Sequence, residues 1–293
     1  MKKWTLFMGI YFALCLILGG CGVSAGNAAG SGGGAPAERS GSAEPAQRDG
    51  GDTAAASVAT CRVVEVGDGN QLLLADTETG TVYTLAGGET LLLDGRNQEM
   101  DWAPKAGVLA EIVHDGTVLE TWPAQFANVA SVNILSDGFD DRCALYLQVL
   151  EDLWNVDPGL NSDPLANIGV DLSDTSLPEG ERSAVAWTFA QRHGGELVTG
   201  TWEELADQGY IDRENLCWED GCLFSITEKE EPVVFNLPNM TGDAVPPNIG
   251  GAVAFDAQKW RSGTGAYFLC DCTAVQDADG HWGSYTVGSE AIS

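Results

Sequence analysis

Two regions of the chain alternate apolar and polar residues with the period of a β-strand, and a helical region separates them. The first alternating region divides into short runs separated by turn residues such as Gly67-Asp68-Gly69-Asn70. Its candidate strands are 61–66, 71–75, 81–85, 90–93, 108–114, 118–122 and 129–135. Short, evenly spaced strands predict a small barrel over 60–135, because closure leaves no unpaired sheet edge.

Residues 137–293 predict a second unit that begins with helices. Five apolar residues fall at i, i+3, i+4, i+7 and i+8 on one helical stripe: Tyr146, Val149, Leu150, Leu153 and Trp154. Asp140 and Asp141 suit the start of this helix, and 158–159 (Pro-Gly) ends it. A second helix is predicted from a Ser176/Glu179 capping box to His193, before Gly194.

The remaining elements of this unit predict one short helix and a sheet. Thr201 and Glu204 form a capping box for a helix that ends at Gly209. Residues 216–218 and 222–227 predict a hairpin, and 252–261, 266–276 and 281–292 predict a meander. Helices followed by strands indicate the α+β class, with helices packed on a bent antiparallel sheet.

Both units resemble known folds in outline. The first is similar to the OB-type barrels of some Gram-positive lipoproteins, and the second to cystatin-like and NTF2-like folds. The segment 255–263 (FDAQKWRSG), followed by 265–267 (GAY), resembles the C-terminal domains of uncharacterised Gram-positive lipoproteins. That resemblance implies no particular activity. Oligonucleotide binding is not carried over, because the basic groove and stacking aromatic residues of OB-folds are missing.

The N-terminus has the layout of a secretory signal. Lys2 and Lys3 precede an uncharged run, 4–18, that is shorter than the roughly 20 residues of a spanning helix. The run closes on 18–21 (Leu-Gly-Gly-Cys), which resembles the lipobox of bacterial lipoproteins. The resemblance implies a signal peptide over 1–21, lipidation of Cys21 and anchoring to the extracytoplasmic face of the cell membrane. An uncleaved transmembrane anchor and an ordinary secreted protein are the alternatives.

Residues 22–59 separate this signal from the first strand. They are almost entirely Gly, Ala, Ser and polar residues, with hardly any large apolar side chain. Such a segment buries too little surface to offset its conformational entropy, so a disordered tether is predicted.

The overall charge limits the class of partner. Forty-three acidic residues stand against fourteen basic ones, a formal net charge of −29. Nucleic acid is excluded as a partner, because its binding depends on Lys and Arg neutralising phosphates. A protein, peptide or glycan ligand fits an exported acidic protein better, although an acidic surface also serves solubility alone.

Six cysteines follow Cys21 in the chain: Cys61, Cys143, Cys217, Cys222, Cys270 and Cys272. Cys217 and Cys222 bracket the predicted hairpin turn and are a candidate disulfide pair. Buried free thiols are the alternative, because a chain of this length folds without disulfides. A zinc ion held by the last four thiols is a third interpretation, with spacings unlike the usual C-x2-C pairs. No cofactor or resident metal is predicted.

No catalytic residue is predicted. The three histidines, His114, His193 and His281, lie in separate segments without metal-binding spacing. The sequence contains no S-x-x-K motif, and its one G-x-S-x-G match, 22–26, falls in the predicted tether and not between a strand and a helix. His193 at a helix C-terminus is explained by the helix dipole.

Aromatic residues of the meander form a candidate ligand pocket at Trp260, Arg261, Tyr267 and Trp282. Trp260 and Tyr267 suit stacking against a sugar or peptide, with Lys259 or Arg261 as the polar contact. The alternative is that these aromatic side chains form the core against the Tyr146–Trp154 stripe. The sequence therefore predicts a lipid-anchored binding or accessory module of the cell envelope. The alternative function is a cell-surface, hydrolase-like enzyme with acidic residues in the pocket of the second unit.

Overall fold

The computed structural model describes residues 56–87, 90–101, 103–161, 165–229, 251–277 and 279–293. All of these residues belong to one compact unit. The predicted signal peptide, Cys21 and the tether up to residue 55 lie outside the described residues. Ser57 already belongs to the first strand, so the tether prediction extends a few residues too far. The fold is mixed α+β, with two sheets and three α-helices among the described residues.

The first sheet has eight strands in the spatial order β4-β8-β5-β1-β2-β3-β7-β6. The strands are β1 (Ser57–Val66), β2 (Leu72–Asp76), β3 (Val82–Leu85), β4 (Leu91–Leu93), β5 (Leu109–His114), β6 (Val118–Leu119), β7 (Ala124–Phe126) and β8 (Val129–Ile134). Seven of them match predicted strands. The eighth, β7, is a three-residue strand, too short to show a period of two.

The prediction of a closed barrel is wrong, because the first sheet is open. The two end strands, β4 and β6, do not pair with each other within the described residues. Two pairs, β3–β7 and β4–β8, are parallel, whereas the neighbouring pairs are antiparallel. Both faces of this sheet are buried in a core. Leu72 and Leu74 of β2 lie in the core of the first sheet, and Leu73 and Ala75 lie in the core shared with the helices. The open sheet is thus covered on its second face by the rest of the chain.

Three helices follow: α1 (Arg142–Asn155), α2 (Glu179–His193) and α3 (Trp202–Asp207). Four residues of the apolar stripe of α1 are buried as predicted, and Trp154 is partly buried against the same core. The capping box of α3 is confirmed, with Thr201 and Glu204 bonded reciprocally. Gly194 ends α2 in the left-handed conformation, also as predicted. Among the described residues, none of the helices combines the length and the hydrophobicity of a membrane-spanning segment.

The predicted capping box of α2 is wrong. The residue that precedes the helix is Pro178, and no side chain caps its first turn. Ser176 uses its backbone N–H and its hydroxyl on the Glu228 carboxylate, at 2.9 and 2.8 Å. The Glu228 carboxylate, distant in the chain, therefore accepts the hydrogen bond that Glu179 would accept in a capping box.

The second sheet has seven strands, in the order β10-β9-β11-β12-β13-β14, with β15 also pairing with β13. The strands are β9 (Asn167–Asp171), β10 (Glu196–Thr199), β11 (Gly221–Glu228), β12 (Ala252–Ser262), β13 (Gly265–Val275), β14 (Tyr285–Thr286) and β15 (Ser289–Ile292). The antiparallel meander from β12 to β15 agrees with the prediction.

The other half of this sheet corrects the prediction of an antiparallel sheet. β9 pairs in parallel with β10 on one side and with β11 on the other. The predicted hairpin at 216–227 is also wrong, because β11 pairs with β9 and β12. Cys217 instead forms isolated bridges to Asp212 and Ser262. A βαβ unit, β9-α2-β10, thus lies at the end of a mixed sheet.

Helices cover both faces of the parallel strands. Successive side chains of β11 point to opposite faces, with Phe224 in the large core and Leu223 in a smaller one. α1 and α2 contribute to the large core, which also contains residues of the first sheet. The smaller core holds Leu205 of α3 and Trp218. α2 and α3 therefore lie on opposite faces of the second sheet.

Candidate functional site

A crevice of about 200 Å³ lies at the carboxyl ends of β9 and β10, beside the first turns of α2. Its lining comes from the end of β9 and the turn after it, from α2, and from the end of β10. The lining residues are Val170, Asp171, Leu172, Ser173, Glu179, Arg182, Ser183, Ala186, Thr199 and Gly200. The crevice is therefore built from a single βαβ unit.

The topology of the sheet explains why a crevice forms here. β9 leads into α2 on one face of the sheet, and β10 leads into α3 on the other face. The connections leaving two adjacent parallel strands thus diverge to opposite faces, which leaves a gap outside the strand ends. Such switch points are where open α/β sheets bind ligands.

Polar side chains of both charge signs line the crevice. Arg182 is half-buried, and its Nη1 donates to the Ser173 carbonyl at 3.3 Å. Asp171 Oδ1 accepts from the Ser173 backbone N–H at 3.0 Å and from the Ser173 hydroxyl at 2.6 Å. These bonds fix the orientation of the Asp171 carboxylate, while Ser183 and Thr199 add hydroxyls. The arrangement can hold a small polar molecule through hydrogen bonds and ion pairs.

The lining contains no histidine, cysteine or aromatic residue. A histidine base, a cysteine nucleophile and a ring for stacking on a sugar are therefore missing from it. Within the described ranges, no group of three or more His, Cys, Asp or Glu side chains is placed to hold a metal ion. The ionisable groups of the lining are Asp171, Glu179 and Arg182.

In two wider depressions, charged side chains are engaged in contacts within the protein. A groove of about 610 Å³ between β1, α1 and α2 has Arg192 in ion pairs with Glu65 (2.6 Å) and Glu151 (3.1 Å). A hollow of about 710 Å³ lies over 209–220, where the Asp212 carboxylate accepts from the backbone of its own turn. Arg192, Glu65 and Glu151 therefore bind one another in the groove, and Asp212 binds its own turn in the hollow.

The structure does not bring the predicted pocket residues together. Trp260 packs against Trp202 of α3, with ring centroids 5.8 Å apart, beside the smaller core. Arg261 donates to the carbonyls of Leu160 and Glu219, each at 3.0 Å. Trp260 and Arg261 therefore lie in different surroundings, and each already contacts other parts of the protein.

The other two predicted residues, Tyr267 and Trp282, are buried in the large core. The Tyr267 hydroxyl donates to the Glu290 carboxylate. Trp282 donates its backbone N–H to Asp141 at 2.9 Å and its ring N–H to Asp140 at 3.2 Å. Both residues therefore have the core role that was the alternative to a pocket. None of the four predicted residues lines the crevice.

Lys259, the other predicted polar contact, is also enclosed. Its side chain is fully buried, and its Nζ donates to the Asp157 carbonyl at 3.1 Å and to Asn161 Oδ1 at 3.0 Å. It also donates to the carbonyl of Val156, directly after α1. The ammonium thus satisfies carbonyls at the C-terminus of α1. Burial lowers the pKa of Lys259 below its ordinary value.

All six described cysteines are free thiols, so the predicted Cys217–Cys222 disulfide is not formed. Cys222 donates its thiol to the Trp260 carbonyl at 3.3 Å, and burial raises its pKa to about 12. The predicted zinc alternative has no cluster in the described residues. Buried free thiols, the remaining interpretation, apply to four of the six.

The histidines lie apart, each in a local role. His193, at the end of α2, contacts Glu151 (Nε2 to Oε2 3.0 Å) and stacks on Trp154. His281 contacts Asp141 at 3.0 Å. His114 is buried, and its Nδ1 accepts from the Gly116 backbone N–H at 3.2 Å. None of them lines the crevice.

Sequence reasoning missed Arg182, Ser183 and Thr199 because β9 and β10 were not predicted as strands. A usable signal exists: a short apolar run at 168–170 precedes polar residues and a helix, and a second at 197–198 follows that helix. This order is the signature of a βαβ unit. Comparisons of the chain with protein families, characterised proteins and solved structures found no match.

Proposed function

We propose that the protein is a lipid-anchored, extracytoplasmic binding module of the bacterial cell envelope that holds a small polar molecule in the crevice. The observation that supports this most is the position of the crevice at the switch point between β9 and β10. Its polar lining groups are fixed by the ends of two strands and by α2, so the site is preorganised.

Binding is favoured over hydrolysis by the composition of the lining. Asp171 and Glu179 are its two acidic residues, and Asp171 already accepts two hydrogen bonds from Ser173. The Ser173 hydroxyl donates to Asp171 Oδ1 at 2.6 Å, but a carboxylate is a weaker base for a serine hydroxyl than histidine or lysine, and neither of these lines the crevice. We therefore propose no catalytic residue, and substitution of Asp171 should alter affinity for the ligand and not turnover.

The anchored location rests on the lipobox-like 18–21 and the signal-like segment before it. A diacylglyceryl group on Cys21 would supply the two chains that stable membrane retention requires. The partners we propose are therefore the membrane, through this lipid, and a ligand met outside the cell. The likeness to OB-type and cystatin- or NTF2-like folds stays a prediction and contributes nothing to this proposal.

A ligand screen with a crevice-filling variant tests the binding function. Polar metabolites are screened by thermal shift against the wild type, Ser183→Phe and Gln191→Phe. Ser183 lines the crevice, whereas Gln191 is exposed eight positions later on the same helix. We expect a ligand that stabilises the wild type and Gln191→Phe but not Ser183→Phe. Equal shifts in all three proteins, or no shift from any compound, would contradict the proposal.

The anchor is tested separately, on protein from its native cell. Mass spectrometry of the mature N-terminus should find residue 21 first and carrying a diacylglyceryl group, and Cys21→Ala should leave the membrane fraction. An intact leader with an unmodified Cys21 would contradict the anchored location.

A further inference from the structure

We infer that the crevice recognises an α-amino acid head group, a ligand with a carboxylate and an ammonium on the same carbon. This inference rests on the proposed binding function and specifies its ligand class. The observation behind it is that the crevice presents one guanidinium and two carboxylates, together with hydroxyls, around a small volume.

Arg182 is the group suited to a carboxylate. Its planar guanidinium can donate two parallel hydrogen bonds to the two oxygens. One of its nitrogens contacts the Ser173 carbonyl at 3.3 Å, and no ion pair of the described residues includes Arg182. Other arginines of the described residues already bind carboxylates. Arg192, for example, pairs with both Glu65 and Glu151. Arg182 instead keeps donors for a ligand, and Ser183 and Thr199 line the same crevice.

Asp171 and Glu179 are the groups suited to an ammonium. Ser173 holds Asp171 through Oδ1 alone. Its other oxygen and the exposed Glu179 carboxylate can accept from an N–H donor. With Arg182, these residues give the lining a formal charge of about −1 at neutral pH. The net negative charge of the lining therefore repels a simple anion. A simple cation would be repelled by the Arg182 guanidinium. A zwitterion satisfies both signs at once.

Size and composition narrow the ligand further. A volume of about 200 Å³ is below the roughly 300 Å³ at which drug-sized pockets begin. No aromatic ring lines the crevice, so the stacking surface that favours a sugar is missing. A compact molecule with a short side chain fits best. The head group has two sources, a free amino acid or an amino acid joined to a larger envelope peptide through its side chain.

Isothermal titration calorimetry with four probes tests the ligand class. Alanine carries both charges, N-acetylalanine lacks the ammonium, and alaninamide lacks the carboxylate. Nε-acetyl-lysine keeps both charges and adds a peptide-like tail. We expect alanine to bind at least tenfold more tightly than either blocked derivative, because each derivative leaves one charged partner unmatched. Nε-acetyl-lysine binding more tightly than alanine would identify the peptide source, and the reverse order would identify the free amino acid.

Variants locate the binding. Arg182→Gln should weaken alanine binding at least tenfold, with partial recovery in Arg182→Lys, which restores the charge without the planar fork. Arg213→Gln is the matched control, because Arg213 is paired with Asp207 on the exposed surface and does not line the crevice. Circular dichroism of each variant establishes that it folds. Unchanged alanine affinity in a folded Arg182→Gln, or equal binding of a blocked derivative, would overturn the inference.

The two proposals fail differently. A ligand of another charge class that is lost in Ser183→Phe would refute the head-group inference and leave the binding function standing. A screen in which no compound distinguishes wild type from Ser183→Phe would refute both.

Discussion

Arg62 of β1 and Glu181 of α2 form an ion pair, Nε to Oε1 3.3 Å, that joins the first sheet to the helices covering it. Both side chains are nearly buried, with 11 % and 6 % of their surface exposed. Arg62 also donates to the Gly107 carbonyl at 2.8 Å, and the Cys143 thiol donates to the other oxygen of Glu181 at 3.4 Å. The pair is thus a buried polar contact between the first sheet and the two helices α1 and α2.

Removing one partner of this pair should be costly. Glu181→Leu leaves the Arg62 charge buried without its carboxylate, and we expect the free energy of unfolding to fall by about 3 kcal/mol. Urea denaturation measures the change. The control Asp207→Leu breaks an exposed pair with Arg213, for which we expect a loss below about 1 kcal/mol. Equal effects of the two substitutions would show that burial of the Arg62–Glu181 pair carries no energetic weight.

Gly169 in the centre of β9 is required by the ring of Trp218. A Cβ at this position would lie 2.7 Å from Cζ3 and 3.0 Å from Cη2 of that buried ring. We expect Gly169→Ala to reduce the free energy of unfolding by about 1–3 kcal/mol, because the packed core must shift. Gly283→Ala, where a Cβ meets nothing within 4 Å, should be nearly neutral.

A double variant checks the cause of that loss. Trp218→Phe removes part of the ring and should recover some of the stability lost in Gly169→Ala, measured as a positive coupling in a double-mutant cycle. Simple additivity of the two losses would contradict the steric explanation.

The sequence predicted most helices and strands because their patterns are local. The stripe of α1, the Thr201–Glu204 capping box and the Gly194 cap depend on residues within a few positions of one another, and all three are present. Sheet partners do not follow from such patterns. The parallel pairing of β9 with β11 joins residues about 54 positions apart in the chain, Asn167 with Gly221.

The candidate site was not predicted for the same reason. Its residues come from α2 and from the ends of two strands, β9 and β10, whose short apolar runs look like loops when their pairing is unknown. Aromatic residues on a strand suit a core as well as a pocket, and the structure places Tyr267 and Trp282 in the large core. Lys259 shows the limit most clearly, since a charged residue in a strand pattern is expected on the surface. Its burial depends on carbonyls about 100 residues away.

His193 should make the stability of the protein depend on pH. Glu151 of α1 and Arg192 of its own helix are the charged groups beside it, and the ring packs on Trp154 and Phe189. Burial lowers the pKa of His193 below its ordinary value of 6.5, an effect that Glu151 only partly offsets. The unfolded chain therefore binds a proton more readily than the folded protein does as the pH falls through 6.5.

The sign follows from linkage: the unfolded state takes up more protons, so stability falls as the pH is lowered. We expect the free energy of unfolding to decrease from pH 7 to pH 5, and to decrease less in His193→Gln. Urea denaturation at several pH values measures both curves. The difference between the curves isolates His193 from the carboxylates that titrate at lower pH. Parallel curves would contradict the role given to His193.

The thiols should fall into two reactivity classes. Cys61, Cys143, Cys222 and Cys272 are buried, and burial raises the pKa of each thiol, to about 12 for Cys222 and Cys272. Cys217 and Cys270 are only half-buried. Because the thiolate is the reactive form, we expect these two to be alkylated at least tenfold faster than the other four in the folded protein.

Iodoacetamide labelling without reductant, followed by peptide mass spectrometry, measures each rate. Repeating the labelling in urea provides the control, since all six thiols should then react at similar rates. A peptide linked through Cys217 and Cys222 would restore the disulfide that the sequence suggested. It would also require Cys222 to leave the Trp260 carbonyl, because a sulfur in a disulfide has no proton to donate.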